Sequence, residues 1–218
     1  IIPLKNKNHL TIAMETNFSN LSLDFVHRFI PKFFKINGHA TGSLSLNGTS
    51  KETYFNYDIN IDNPEFDLVK MNSLVSKGNY NGKKLIIKMA QASNKAGFIE
   101  AAGFIPFDLN IGSSNFGKYF ENDSMQLKTE AELSNLPFLS PYIDDLDSVS
   151  GKYKINLLID GSIKNINRNG NVLIQNGVFY TQLLHDPIKF IEGDANLINN
   201  KLKFNNLTAN LGYDKGNK

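Results

Sequence analysis

Between Tyr54 and Asp62 the chain reads Tyr54-Phe55-Asn56-Tyr57-Asp58-Ile59-Asn60-Ile61-Asp62. Phe55, Tyr57, Ile59 and Ile61 fall on one side of a period-two pattern, and Asn56, Asp58, Asn60 and Asp62 on the other. Successive side chains of extended backbone point to opposite sides, so this is the signature of a β-strand with one apolar and one wetted face. Lys152 to Asp160 reads the same way, with Tyr153, Ile155, Leu157 and Ile159 opposite Lys152, Lys154, Asn156 and Asp160; Leu158 alone breaks the pattern. Further strands are expected over 84–90, 97–104, 107–111, 125–132, 171–175, 178–183, 188–199 and 202–211. Asn-Gly occurs at Asn37, Asn47, Asn81, Asn169 and Asn176, and this dipeptide favours tight hairpins because both residues tolerate positive φ. Together these features predict antiparallel meanders.

The two alternating segments belong to a longer internal repeat. Leu23, Phe25, Ile30, Gly38, Leu44, Gly48, Asn63 and Phe66 recur as Leu136, Phe138, Ile143, Gly151, Leu157, Gly161, Asn176 and Phe179, each at one interval (151 − 38 = 113). The match then slips by two residues, Gly78 answering to Gly193 and Gly97 to Gly212 (193 − 78 = 115). A unit reused at fixed spacing implies a modular, extended architecture. The expected division is 1–20 as the end of a preceding unit, 21–133 as repeat unit 1 and 134–218 as a truncated repeat unit 2. No Pro/Gly/Ser-rich linker separates the units, so one continuous sheet is expected. Each unit opens on a short apolar-periodic stretch, Phe25 to Phe34 and Tyr142 to Leu146, which predicts a short amphipathic helix. Ser140-Pro141 supplies a helix start for the second.

Charge and composition narrow the function. The net charge is +2, with both signs interspersed, which lacks the clustered positive footprint of a nucleic-acid binder. No apolar run approaches the roughly 20 residues needed to span a bilayer. No signal-peptide pattern opens the chain, and it begins at Ile1, so a piece of a longer protein is expected, with any export signal or membrane anchor outside it. There is no Cys, which excludes disulfides, thiolate nucleophiles and zinc ribbons. The five Asn-x-Ser/Thr sequons, at Asn17, Asn20, Asn47, Asn122 and Asn206, follow from an Asn-rich composition.

The residues offer no catalytic constellation. His9, His27, His39 and His185 are far apart and none has metal-chelating spacing. No nucleophile elbow, P-loop or dinucleotide fingerprint occurs in its required context. Asp144, Asp145 and Asp147 lack the spaced oxygen ligands and Gly of a calcium loop, and read as the wet face near a helix start. No enzyme, metal or cofactor is expected. What remains is an apolar sheet face that something must cover. Two arrangements satisfy that need: a packed sandwich with a dry interior, serving a structural or adhesive role, or an open groove that holds something greasy.

One segment carries a resemblance. After the strand ending in Leu157 and Ile159 come Asp160-Gly161-Ser162, Asn171-Val172-Leu173-Ile174-Gln175-Asn176-Gly177-Val178-Phe179, Ile188-Lys189-Phe190-Ile191-Glu192-Gly193 and Asn200-Lys201-Leu202-Lys203-Phe204. This resembles the TamB and AsmA-like family, whose repeats run as a strand, L-x-G, a strand carrying N-G-x-F, a strand ending in Gly, then N-x-L-x-L. Ile159 and Phe204 stand where that pattern has Leu. The first unit is similar through Leu46-Asn47-Gly48-Thr49, Asn63-Pro64-Glu65-Phe66 and Asn81-Gly82-Lys83-Lys84-Leu85, so the resemblance covers Leu21 to Gly212.

The resemblance implies a periplasmic protein of the bacterial envelope, anchored to the inner membrane by a segment not present here. It further implies a taco-like β-groove that carries phospholipid acyl chains between inner and outer membranes. A link to outer-membrane protein assembly would run through an outer-membrane barrel partner that a missing C-terminal region would meet. The alternating apolar positions then predict the groove floor: Phe55, Tyr57, Ile59, Ile61, Leu85, Ile87, Met89, Tyr153, Ile155, Leu157, Phe190, Leu202 and Phe204. Leu202 to Leu211 is expected to be an unpaired edge strand onto which the native chain, continuing past Lys218, adds another.

Overall fold

The computed structural model describes residues 11–23, 36–66, 69–135 and 146–211. Period-two alternation becomes strand throughout. The strands are β1 (Thr11–Ser22), β2 (Ile36–Thr49), β3 (Thr53–Phe66), β4 (Val69–Lys70), β5 (Ser73–Tyr80), β6 (Lys84–Asn94), β7 (Gly97–Pro106), β8 (Ser124–Asn135), β9 (Leu146–Ser162), β10 (Asn165–Thr181), β11 (Ile188–Ile198) and β12 (Lys201–Leu211). They form one sheet in chain order, β1-β2-β3-β5-β6-β7-β8-β9-β10-β11-β12, with β4 paired on β3 and every pairing antiparallel. The fold is therefore an all-β, open, extended meander, and no α-helix occurs among the described residues. No second sheet packs on it there either, so the sandwich arrangement is not what these residues build.

The repeat is written into the backbone. Gly38 and Gly151 have φ of 129° and 133°, Gly48 and Gly161 of 115° and 98°, and Asn63 and Asn176 of 48° and 50°. These are conformations that Cβ-bearing residues avoid, Asn less than most. Asn63 and Asn176 each stand at an irregularity of the ladder, where the register moves between Asn37 and His39 in one unit and between Gln175 and Val178 in the other. The hairpin β2–β3 thus has its counterpart in β9–β10, and Leu44–Asn47 and Leu157–Asp160 both lie in strands.

The correspondence begins one strand earlier than residue identities show. β8, shifted by the same interval, coincides with β1 (124 − 113 = 11 and 135 − 113 = 22). Thr11 faces Thr49 as Ser124 faces Ser162, and Phe18 faces Gly42 as Ala131 faces Ile155. β1 therefore occupies the place that closes a unit. Further on the two units diverge: Ile61 faces Leu74, whereas its counterpart Ile174 faces Gly193, which the sequence repeat equates with Gly78. β11 has slid four residues along β10, an even number, so its apolar side stays on the same face.

Three expectations are corrected. Residues 107–111 are not a strand: Phe107 makes an isolated bridge to Tyr119 and an irregular loop follows to Asp123. Leu146 and Asp147, expected to end the second helix, instead begin β9; the rest of both helices lies outside the described residues. Third, the strands are longer than the alternating segments, because bulges let a strand continue where its parity breaks.

Candidate functional site

Residues directly opposite in an antiparallel ladder put their side chains on the same face, so the registers define rows that run across the sheet. One row passes through Leu21, Ala40, Ile61, Leu74, Ala92, Ile99, Ala131, Ile155, Val172, Ala195 and Phe204. Every member is apolar, from the first strand to the last. The row beside it, Phe18, Gly42, Ile59, Ser76, Ala90, Ala101, Thr129, Leu157, Gly170, Leu197 and Leu202, carries no ionisable group. On the opposite face the neighbouring row reads Thr41, Asn60, Val75, Gln91, Glu100, Glu130, Asn156, Asn171, Asn196 and Lys203. The Lys77–Asp58 and Lys154–Glu132 ion pairs, at 2.9 and 2.7 Å, are on that wet face. The sheet is two-faced along its whole length.

Over β9 to β12 the apolar face holds a cavity of about 630 Å³. Tyr153, Ile155, Val172, Ile174, Ala195, Leu202, Phe204 and Leu207 are among its lining, with Val149, Phe179, Ile188 and Ile191 toward the connection between β10 and β11. On its inner side Tyr153 lines the cavity and belongs to the buried cluster of Ala131, Leu133 and Tyr153, against which Ile99, Ile155 and Ile174 pack. The Tyr153 hydroxyl donates to the Ser150 carbonyl at 2.9 Å, and burial pushes the phenol above its ordinary pKa. The outer wall is uncovered: Leu202, Phe204 and Leu207 are each about half exposed. Together these three large side chains form a contiguous exposed apolar patch along one strand.

Eleven of the thirteen floor positions read from the sequence share this face. Phe55 and Leu85 lie in one row with Leu46, Tyr80 and Ile105; Tyr57 and Ile87 lie in the next with Leu44 and Leu127; Ile59, Leu157 and Leu202, then Ile61, Ile155 and Phe204, lie in the two rows already traced; Tyr153 sits beside Leu133 and Ile174. Two do not. β6 carries one extra residue between Ile87 and Ala90, so Ile87 faces Gly78 but Met89 faces Lys77, on the wet side. Phe190 stands at a second irregularity with φ of 53°; it is 60% exposed, and Ile188 and Ile191 line the cavity in its place. Strict alternation likewise misses Leu207 and Ala209, which a third bulge, at Asn205, turns onto the apolar face.

At the other end of the sheet the turn-side rim is closed by the loop that follows β7. Asn110 is buried; its side-chain carbonyl accepts from Thr53 N–H at 2.8 Å, and its amide donates to the Gly82 carbonyl at 2.9 Å and to Asp108 at 3.0 Å. The Tyr80 hydroxyl accepts from Leu109 N–H at 3.0 Å, and Ser113 donates to Asp108 at 2.6 Å. Gly112 N–H reaches the Ser50 carbonyl at 2.6 Å. The loop thus ties β7 back across two hairpin turns to β2–β3, over the end of the Phe55–Tyr80 stack, whose rings are 5.2 Å apart. Burial raises the Tyr80 pKa, with the Leu109 contact opposing. Every member of this network is partnered, and its work is structural.

Among the described residues no group of His, Asp or Glu is placed to hold a metal ion, and there is no helix long and apolar enough to cross a membrane. His39 and His185 are exposed, and His9 and His27 lie outside the described residues. Neither protein-family models, nor curated proteins, nor solved structures offer a match to this chain.

Proposed function

We propose that the apolar face is a trough for acyl chains, and that this chain is a lipid-conducting segment of an envelope protein of the TamB and AsmA-like kind. In this reading it works in the periplasm, tethered to the inner membrane by a segment outside this sequence, and moves phospholipid between inner and outer membranes. Its work is physical partition rather than catalysis. The observation that carries the reading is the unbroken apolar row from Leu21 to Phe204, ending in an uncovered cavity. Each CH₂ withdrawn from water is worth about 0.8 kcal/mol, so a ~16-carbon chain crossing an aqueous gap costs on the order of 10 kcal/mol. A continuous floor removes most of that barrier while the headgroup stays in solvent. Sliding along it requires no polar constellation, only a floor without charges, and the two central rows carry no ionisable group. A structural module with a dry interior is less well supported, because Leu202, Phe204 and Leu207 face no second layer among the described residues.

The test is native mass spectrometry of the purified chain for co-purifying phospholipid, with photo-crosslinking residues at Ile155 and Phe204. Capture of lipid at both positions, lost in Ile155→Glu, is expected, since an unpaired charge on that floor is costly. Capture of neighbouring strands alone, with no lipid retained, would overturn the proposal.

A further inference from the structure

The third row of the apolar face, counting the central row as the first and moving towards the turn-side rim, runs through Leu44, Tyr57, Ile87, Leu127 and Ile159 and ends on Arg168. Arg168 faces Ile159 directly, so its side chain leaves the sheet on the greasy side. No other charged side chain occurs in these three rows. The chain otherwise supplies positive charge as Lys: Arg stands at Arg28 and Arg168 alone, against 21 Lys (23 − 2 = 21).

Asn199 and Asn200 make the turn between β11 and β12, with φ of 48° and 66°, the two positive values that a type I′ hairpin needs. That turn sets Asn200 against β10. Asn200 N–H donates to the Arg168 carbonyl at 3.2 Å, and its side-chain amide donates to the Ile166 carbonyl at 2.8 Å. Its side-chain carbonyl accepts from Arg168 Nη1 at 3.3 Å, which orients the guanidinium and leaves its other N–H groups to a ligand. No carboxylate among the described residues forms an ion pair with it. The cavity begins one row away: Gly170 faces Leu197, which faces Leu202, and Leu202 and Val172 line the cavity. Along β10, Gly170 lies about 7 Å from Arg168 and Val172 about 13 Å, and Gly170 puts no side chain between them.

We infer that Arg168 is the headgroup contact of the trough, binding the phosphate of a lipid whose acyl chains lie in the β9–β12 cavity; this rests on the trough reading above. A guanidinium presents parallel N–H groups that match two phosphate oxygens, a geometry Lys lacks. With the phosphate held there, the acyl chains start beside Gly170 and run over Val172 and Leu202 into the cavity. Headgroups passing β9–β12 therefore travel along the turn-side rim, and Asn200 is the positioning residue for their contact.

The experiment is isothermal titration calorimetry on the delipidated chain with three probes: dioctanoyl phosphatidylglycerol, dioctanoylglycerol, which has the same acyl chains and no phosphate, and inorganic phosphate. Arg168 is exposed, so Arg168→Gln and Arg168→Lys should fold, which far-UV circular dichroism verifies. Phosphatidylglycerol should bind more tightly than dioctanoylglycerol. Arg168→Gln should weaken phosphatidylglycerol by about 3- to 10-fold, the effect of one charge-assisted contact at an open rim, and leave dioctanoylglycerol unchanged. Arg168→Lys should recover part of the loss. Dioctanoylglycerol that binds while phosphatidylglycerol is indifferent to Arg168→Gln overturns the inference and leaves the trough standing. Inorganic phosphate bound as tightly as the lipid, and lost in Arg168→Gln, makes this a free-phosphate site and overturns it too. Failure of both lipids to bind the unmodified chain overturns the trough itself, and the headgroup contact with it.

Discussion

Replacing Asn110 by Ala should destabilise the protein out of proportion to the few atoms removed. The side chain bridges two hairpin turns: it is the acceptor for Thr53 N–H at 2.8 Å and a donor to the Gly82 carbonyl at 2.9 Å, with Thr53 itself 1% exposed. Truncation leaves both backbone groups without their partner where the surrounding loop excludes solvent. A buried donor or acceptor stripped of its bond costs about 1–3 kcal/mol, so the pair should lose roughly 2–6 kcal/mol. For a chain of this length that corresponds to a fall in Tm of roughly 5–20 °C. Urea unfolding followed by circular dichroism gives the free energy, and calorimetry the Tm. Asn110→Asp should also be damaging, because it retains an acceptor for Thr53 but loses the donor to Gly82 and sets a carboxylate against Asp108. A loss below about 1 kcal/mol would mean that water replaces the amide, and that the loop does not close the rim as described.

The bulge in β6 makes neighbouring apolar residues unequal: Met89→Glu, facing Lys77 on the wet side, should change stability by less than about 0.5 kcal/mol, whereas Ile87→Glu on the apolar face should cost several times more; equal costs in urea unfolding would place Met89 on the floor after all. Burial raises the pKa of Tyr57, Tyr80, Tyr119 and Tyr153 above the ordinary phenol value. These phenols stay protonated in the folded chain after the unfolded chain has begun to ionise near about pH 10, so their contribution is complete below that pH and is lost as pH rises through the folded values. The urea midpoint should therefore fall across this alkaline range, and less steeply in Tyr153→Phe, where one titrating group is gone; an unchanged slope would contradict the assigned burial of Tyr153.

Much of the architecture is legible in the residues because it rests on local chemistry. Alternation from Tyr54 to Asp62 needs only the pleat of extended backbone, and the Gly38/Gly151, Gly48/Gly161 and Asn63/Asn176 pairs recur because each supplies a positive φ that other residues resist. Eleven floor residues could be read that way. Met89, Phe190 and Leu207 could not, since a bulge exists only relative to the strand beside it: Met89 looks continuous with Ile87 until Lys77 and Gly78 are placed opposite. The four-residue slide of β11 along β10 and the course of residues 107–123 across the turns are equally non-local. Asn110 has an unremarkable neighbourhood in sequence, and becomes a keystone only when Thr53 and Gly82 arrive from far along the chain. Local sequence determined that strands form and which side of each is greasy, because side-chain direction follows from the pleat alone. Tertiary structure decided which greasy positions join into one floor, because that depends on register, and register is a property of pairs of strands.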